Sequence, residues 1–133
     1  MRLVLDSNVI IAAFAARGLC EVLFEYSISN HEVYISEAIL KEIKEKFRTK
    51  IKVPENLVSE IDEYLRKSAE IVKPAAIDLP ELKDKSDLPV MGTAASASAE
   101  YLITGDKELQ RLRTFRKTSI VSPRSFWEEM KDG

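Results

Sequence analysis

Asp6, Glu42, Asp87 and Asp106 are the residues of this sequence whose types and placement could do chemistry. Asp6 closes an abrupt apolar run, Leu3-Val4-Leu5, and Asp106 follows Tyr101-Leu102-Ile103-Thr104-Gly105. Glu42 falls a turn or more into a helical pattern after Val33-Tyr34-Ile35, and Asp87 opens the Ala-rich segment that leads into Tyr101. Each has a plain alternative. Asp6 and Asp87 could cap helices, a service Ser7, Asn8, Asp84 and Ser86 also offer. Glu42 could belong to a solvated face with Glu37 and Glu45, and Asp106 to a turn. Gathered in one place, however, four carboxylates repel one another and resist ionising together. Such a group is stable mainly when a cation neutralises it. With no Cys or His among them, the cation is a hard divalent ion, Mg²⁺ or Mn²⁺. The chemistry this supports is phosphodiester hydrolysis, the ion lowering the pKa of an attacking water and offsetting charge in the transition state. A second ion would sit roughly 3.5–4 Å from the first.

Whether the acids meet depends on the elements that carry them. Leu3-Val4-Leu5, Val33-Tyr34-Ile35, Ile71-Val72, Tyr101-Leu102-Ile103 and Ile120-Val121 read as short buried strands. Between them fall helical patterns: Val9 to Ala16; a second face of Leu19, Val22, Leu23 and Tyr26; then Ile39, Leu40, Ile43 and Phe47 after Ser36 as cap. Pro54 suits the first turn of a helix with Leu57, Val58, Ile61, Tyr64 and Leu65 as its stripe. Ser29-Asn30-His31 reads as a turn, and residues 78–89 as a loop. Val90 to Ala99 reads as a close-packed helix, Leu109 and Leu112 as a short one. Ser122-Pro123 opens the last, with Phe126, Trp127 and Met130 as core cover. Strands alternating with helices predict a three-layer α/β/α sandwich around a central parallel sheet. In such sheets ligands bind beyond the carboxyl ends of the strands. A helix that feeds a strand starts at that same end, so all four acids can reach one place.

The 133 residues, 45% apolar and 32% charged, predict one domain over 1–133. A net charge of −2 excludes a disordered polyelectrolyte, and a lone cysteine excludes a disulfide framework or a cysteine-built zinc site. The longest apolar run, Val9 to Ala16, is too short to cross a bilayer, and Asp6-Ser7-Asn8 interrupts any signal-peptide core. The expectation is a cytoplasmic protein without membrane contact. With 20 basic against 22 acidic residues, nucleic-acid binding needs a local patch. Lys41, Lys44, Lys46, Arg48, Lys50 and Lys52 form one candidate; Arg111, Arg113, Arg116 and Lys117 around Phe115 form another, and solvated faces explain each as well. No phosphate-binding glycine loop or G-x-S-x-G elbow is present. His31 stands apart from the acids as a surface group, and Cys20 on an apolar face reads as inert core.

These acids with their flanks resemble the PIN-domain family. The likeness runs from Leu3-Val4-Leu5-Asp6-Ser7-Asn8-Val9 through Ser36-Glu37-Ala38-Ile39-Leu40-Lys41-Glu42-Ile43 and Asp87-Leu88-Pro89-Val90-Met91. It continues in Tyr101-Leu102-Ile103-Thr104-Gly105-Asp106-Lys107-Glu108-Leu109 and a tail, Ile120-Val121-Ser122-Pro123-Arg124-Ser125-Phe126, similar to the VapC-like toxin branch. The resemblance implies Asp6, Glu42, Asp87 and Asp106 as catalytic, metal-binding acids. It also implies Mg²⁺- or Mn²⁺-dependent ribonuclease activity on RNA, a sheet with its first strand central, a homodimer and a cognate antitoxin. Ser7, Asn8, Ser36 and Thr104 would be supporting groups; Ser7 stands where the family has Thr and keeps the hydroxyl. Asp84 competes with Asp87 for the third acidic role, and Pro89-Val90-Met91 favours Asp87. Other readings are an RNA-processing nuclease, a catalytically idle RNA-binding scaffold, or an aspartyl-phosphate domain. That last reading wants a second Asp where Asn8 stands, or a Lys ending a later strand.

Overall fold

The computed structural model describes residues 1–131, so the last two positions of the expected 1–133 domain lie outside the described residues. The chain runs β1 (Arg2–Leu5), α1 (Ser7–Ala15), α2 (Leu19–Asn30), β2 (Glu32–Ile35) and α3 (Glu37–Lys46). A π-helical turn (Phe47–Ile51) leads to α4 (Glu55–Ser68) and β3 (Glu70–Ile71). A long connection ends in a 3₁₀ turn (Lys85–Asp87) before α5 (Leu88–Ala97), β4 (Tyr101–Ile103) and α6 (Lys107–Leu112). A two-strand edge, β5 (Thr114–Phe115) and β6 (Thr118–Val121), precedes α7 (Pro123–Met130).

The strands form one sheet in the order β3-β2-β1-β4-β6-β5. All pairs are parallel except β5 with β6. Leu3, Val4 and Leu5 are fully buried because β1 is central and covered on both faces, which is why that strand reads as an unbroken apolar run. From β1 the chain builds β2 and β3 to one side, then returns to build β4 and β6 on the other. The strand order therefore reverses between β1 and β4, which opens a crevice beyond their carboxyl ends.

Helix starts at that end are capped by side chains the sequence offers. Asp6 accepts from Ser7 N, Ser36 from Ile39 N, Asp106 from Glu108 N and Ser122 from Ser125 N. Ile39, Leu40, Ile43 and Phe47 are all buried, as the helical spacing predicts. α5 lies hard against the preceding connection. Ala75 N donates to Gly92 O at 3.0 Å, and a Cβ on Gly92 would run into the Ala75 carbonyl oxygen. Only glycine permits that approach.

Several local expectations shift. The sheet is not wholly parallel, because two-residue β5 turns back as a hairpin edge too short to leave a pattern. Ser29 and Asn30 belong to α2, with His31 as its C-cap, instead of forming a turn. The buried face of α2 is Leu23, Phe24 and Ser27, leaving Val22 46% exposed. Leu57 and Tyr64 on α4 are likewise exposed, and Cys20 is only half-buried. No single helix among the described residues is long and apolar enough to cross a membrane.

Candidate active site

Asp6, Glu42 and Asp87 line one cleft of about 50 Å³ at the carboxyl end of β1, together with Ser7, Ile39, Ser86 and Val90. A volume of that size admits an ion with a few waters and little more. The topology explains the meeting. Asp6 leaves central β1, Glu42 sits on α3 after neighbouring β2, and Asp87 precedes α5, which runs back to feed β4. Asp106 follows β4 on the other side of the crevice, its carboxyl group within hydrogen-bonding reach of Asp87.

Asp6 is buried, and both its oxygens are engaged. Oδ1 accepts from Ser7 N at 2.8 Å and Oδ2 from the Thr104 hydroxyl at 2.7 Å. The capping role considered for it is therefore real and occupies one oxygen. Burial pushes its carboxyl pKa up, Glu42 and Asp106 add repulsion, and the two hydrogen bonds oppose the rise. Thr104 also accepts from Asp106 N at 3.0 Å, so a single buried hydroxyl ties two of the acids together. Gln110 Nε2 donates to Thr104 O at 2.7 Å and holds that turn in place. Asn8 Oδ1 accepts from Gly105 N at 3.4 Å, bracing the same turn from α1.

Asp87 has the most perturbed environment. Burial first, then Asp106, Asp6 and Asp84, push its pKa up to about 7. Its Oδ2 is buried with no hydrogen-bond partner. A buried carboxylate oxygen without a donor is costly unless a proton or a cation meets it. Asp84 differs: its Oδ1 accepts from Ser86 N at 3.0 Å and Ser86 Oγ at 2.6 Å, capping the 3₁₀ turn in the open. The two neighbouring acids thus divide the roles of cap and cleft wall, and Asp87 takes the cleft.

Glu42 is turned aside. Its Oε1 accepts from Ser7 Oγ and from Lys46 Nζ, the latter at 3.2 Å. Ser36 stays behind the cleft, fully buried, accepting from Thr93 Oγ1 at 2.8 Å. Among the described residues, no three Asp, Glu, His or Cys side chains close around a single point. The acids border one cleft, but caps, hydroxyls and Lys46 hold several of their oxygens. The donor set is all-oxygen and anionic, and with the orphaned Asp87 oxygen its chemistry suits a hard divalent cation.

Sequence reading missed Lys46 as the partner of Glu42, Thr93 as the partner of Ser36 and Gln110 as the brace of Thr104. Lys46 was legible as the residue one turn beyond Glu42; Thr93 and Gln110 carried no signal. Of the two basic clusters, half of the first is neutralised: Lys44 pairs with Asp62, Lys46 with Glu42 and Arg48 with Glu55. In the second, the Arg116-Lys117 turn joins β5 to the start of β6, at the sheet end away from the acids. A larger hollow of about 320 Å³, lined by Phe14, Phe24, Tyr64, Glu21 and Glu25, also lies away from these carboxylates.

Comparison with known proteins fits this architecture. A model of the PIN domain family matches residues 2–108. Among solved structures, a chain of VapBC2 from Rickettsia felis, bound to a DNA fragment from the promoter, superposes with a TM-score of 0.67 at 21% identity. The match covers 92% of this chain and 98% of that one, a likeness of fold. No curated protein matches the sequence.

Proposed function

The chain belongs to the PIN domain family, and from that premise we propose that it is a divalent-metal-dependent endoribonuclease, the toxin of a toxin–antitoxin pair, working as a single domain. The observation that carries the reading is the unpartnered, buried Oδ2 of Asp87 in a cleft it shares with Asp6 and Glu42 and faces Asp106 across. Asp6, Asp87 and Asp106 would hold Mg²⁺ or Mn²⁺, with Glu42 joining when it exchanges Ser7 and Lys46 for the ion. The ion supplies a more acidic water and positive charge beside the phosphate. The chain's own residues do the rest. Thr104 keeps Asp6 aimed by donating to Oδ2, a bond that favours the carboxylate against the opposing pull of burial. Ser7 orients Glu42. Lys46, released from Glu42, is left as a cation at the cleft edge where a phosphate oxygen would lie.

An antitoxin partner is supported by the VapBC2 neighbour and by the exposed rings of Phe14 and Tyr64, whose centroids lie 6.0 Å apart and which a second protein would cover. A homodimer is read from the resemblance, and mass in solution tests it. Cleavage of single-stranded RNA by purified protein with Mn²⁺ or Mg²⁺ is the direct test of the activity. EDTA and Asp6→Asn should each abolish it. Equal cleavage by wild type and Asp6→Asn would mean a contaminating nuclease and would sink the reading.

A further inference from the structure

Beside the acidic cleft runs a second hollow, an apolar trough of about 330 Å³. Ala38 and Pro89 line both, so the two share a wall. The rest of the trough is made by Lys73, Pro74, Ala76, Ile77 and Leu88 with the Ala75 backbone between them. We propose that this trough seats the base of the nucleotide adjoining the scissile phosphate, with Lys73 meeting the next phosphate along the strand.

This rests on the ribonuclease reading and names how that site would hold its substrate. Three observations carry it. The first is contiguity: Ala38 and Pro89 line both hollows, so a strand whose phosphate lay against Asp6 and Asp87 would pass the shared wall. The second is charge. The cleft is bordered by carboxylates that repel a polyanion, whereas Lys73 is the one ionisable side chain lining the trough among the described residues. The third is shape. The walls are small and apolar, with the rings of Pro74 and Pro89 among them, and seating an unstacked base against them removes its face from water. The wall is also fixed in advance, because the 74–75 segment is bonded to α5 where Gly92 has no side chain. Preorganisation lowers the cost of ordering on binding.

The test uses the wild-type chain and two exposed positions, Lys73 and Ala76. A single-stranded oligoribonucleotide carrying 4-thiouridine beside the cut, bound in EDTA, should photocrosslink to residues 73–77 or 88–89. Ala76→Glu and Lys73→Glu should raise KM for RNA about tenfold with kcat within about twofold, since a seat away from the breaking bond binds ground and transition states alike. The preferred cut positions should also change, while the Mn²⁺-induced gain in Tm stays as in wild type. Crosslinks confined to other segments would overturn the proposal, as would unchanged KM and cut positions in both variants. Either result leaves the nuclease reading standing. If wild type cleaves no RNA at all, the nuclease reading fails separately, and the crosslink map alone decides whether a base is seated here.

Discussion

Asp87 and Asp106 present their carboxyl groups to each other within hydrogen-bonding reach, at the sheet end where strand order reverses. Nothing local requires this: they are separated by all of α5 and β4. Burial and the neighbouring Asp106 push the Asp87 pKa up to about 7, so without a cation Asp87 holds its proton through most of the acid range.

The metal-free protein should therefore lose stability as pH rises. Native Asp87 keeps its proton up to about pH 7, whereas in an unfolded chain an Asp ionises near 4. Between those values the folded form binds the extra proton, so this contribution is full below about pH 4 and gone above about pH 7. Asp6, also raised, acts in the same direction. Thermal melts in EDTA across this range should show a falling Tm from these groups, and Asp87→Asn should flatten the slope. A slope identical in wild type and variant would refute the assignment.

Mn²⁺ or Mg²⁺ should raise Tm. Saturation to one hundred times the dissociation constant adds about 2.7 kcal/mol, worth several degrees in a chain of this length. The gain should be larger at pH 8 than at pH 5, because protons and the ion compete for Asp87. Asp6→Asn should stabilise the metal-free form and remove most of the response. A Tm insensitive to millimolar Mn²⁺ would count against any metal site here.

Thr104 connects two acids through one hydroxyl, so Thr104→Val tests positioning without touching a carboxylate. Leaving buried Asp6 without its donor costs about 1–3 kcal/mol. RNA cleavage should fall at least tenfold, while Thr104→Ser keeps the hydroxyl and most of the activity. Equal activity in all three proteins would deny the bridge a role.

Asp84 and Asp87 should part company under mutation. Asp84→Ala removes a cap from the 3₁₀ turn, an effect of about 0.5–2 kcal/mol, and should leave cleavage within a few-fold. Asp87→Ala should abolish cleavage and the Mn²⁺ effect on Tm. The opposite ranking would assign the third acidic role to Asp84.

Much of the architecture was written in periodicity. Leu3-Val4-Leu5 and Ile39, Leu40, Ile43 and Phe47 are buried as their spacing requires, because the apolar sides of strands and helices leave regular traces. The exceptions are instructive. Val22 and Tyr64 fit apolar stripes yet lie exposed, since a stripe says which residues could be buried and not which neighbour arrives to cover them. Two-residue β5 exists through its pairing with β6, a partnership with no local signal.

The candidate site divides along the same line. Residue chemistry alone determined that Asp6, Asp87 and Asp106 are acids at element ends and Glu42 an acid within a helix, able to serve a hard cation, because side-chain type and strand-to-helix order are local properties. Only the tertiary structure decided that Asp87 and not Asp84 walls the cleft beside Asp6, that Ser7 bonds Glu42 across it, and that Thr104 ties Asp6 to the Asp106 backbone. Those choices depend on distances between residues far apart in the chain, and a carboxylate's state is set by whichever donors, charges and solvent the fold brings to it.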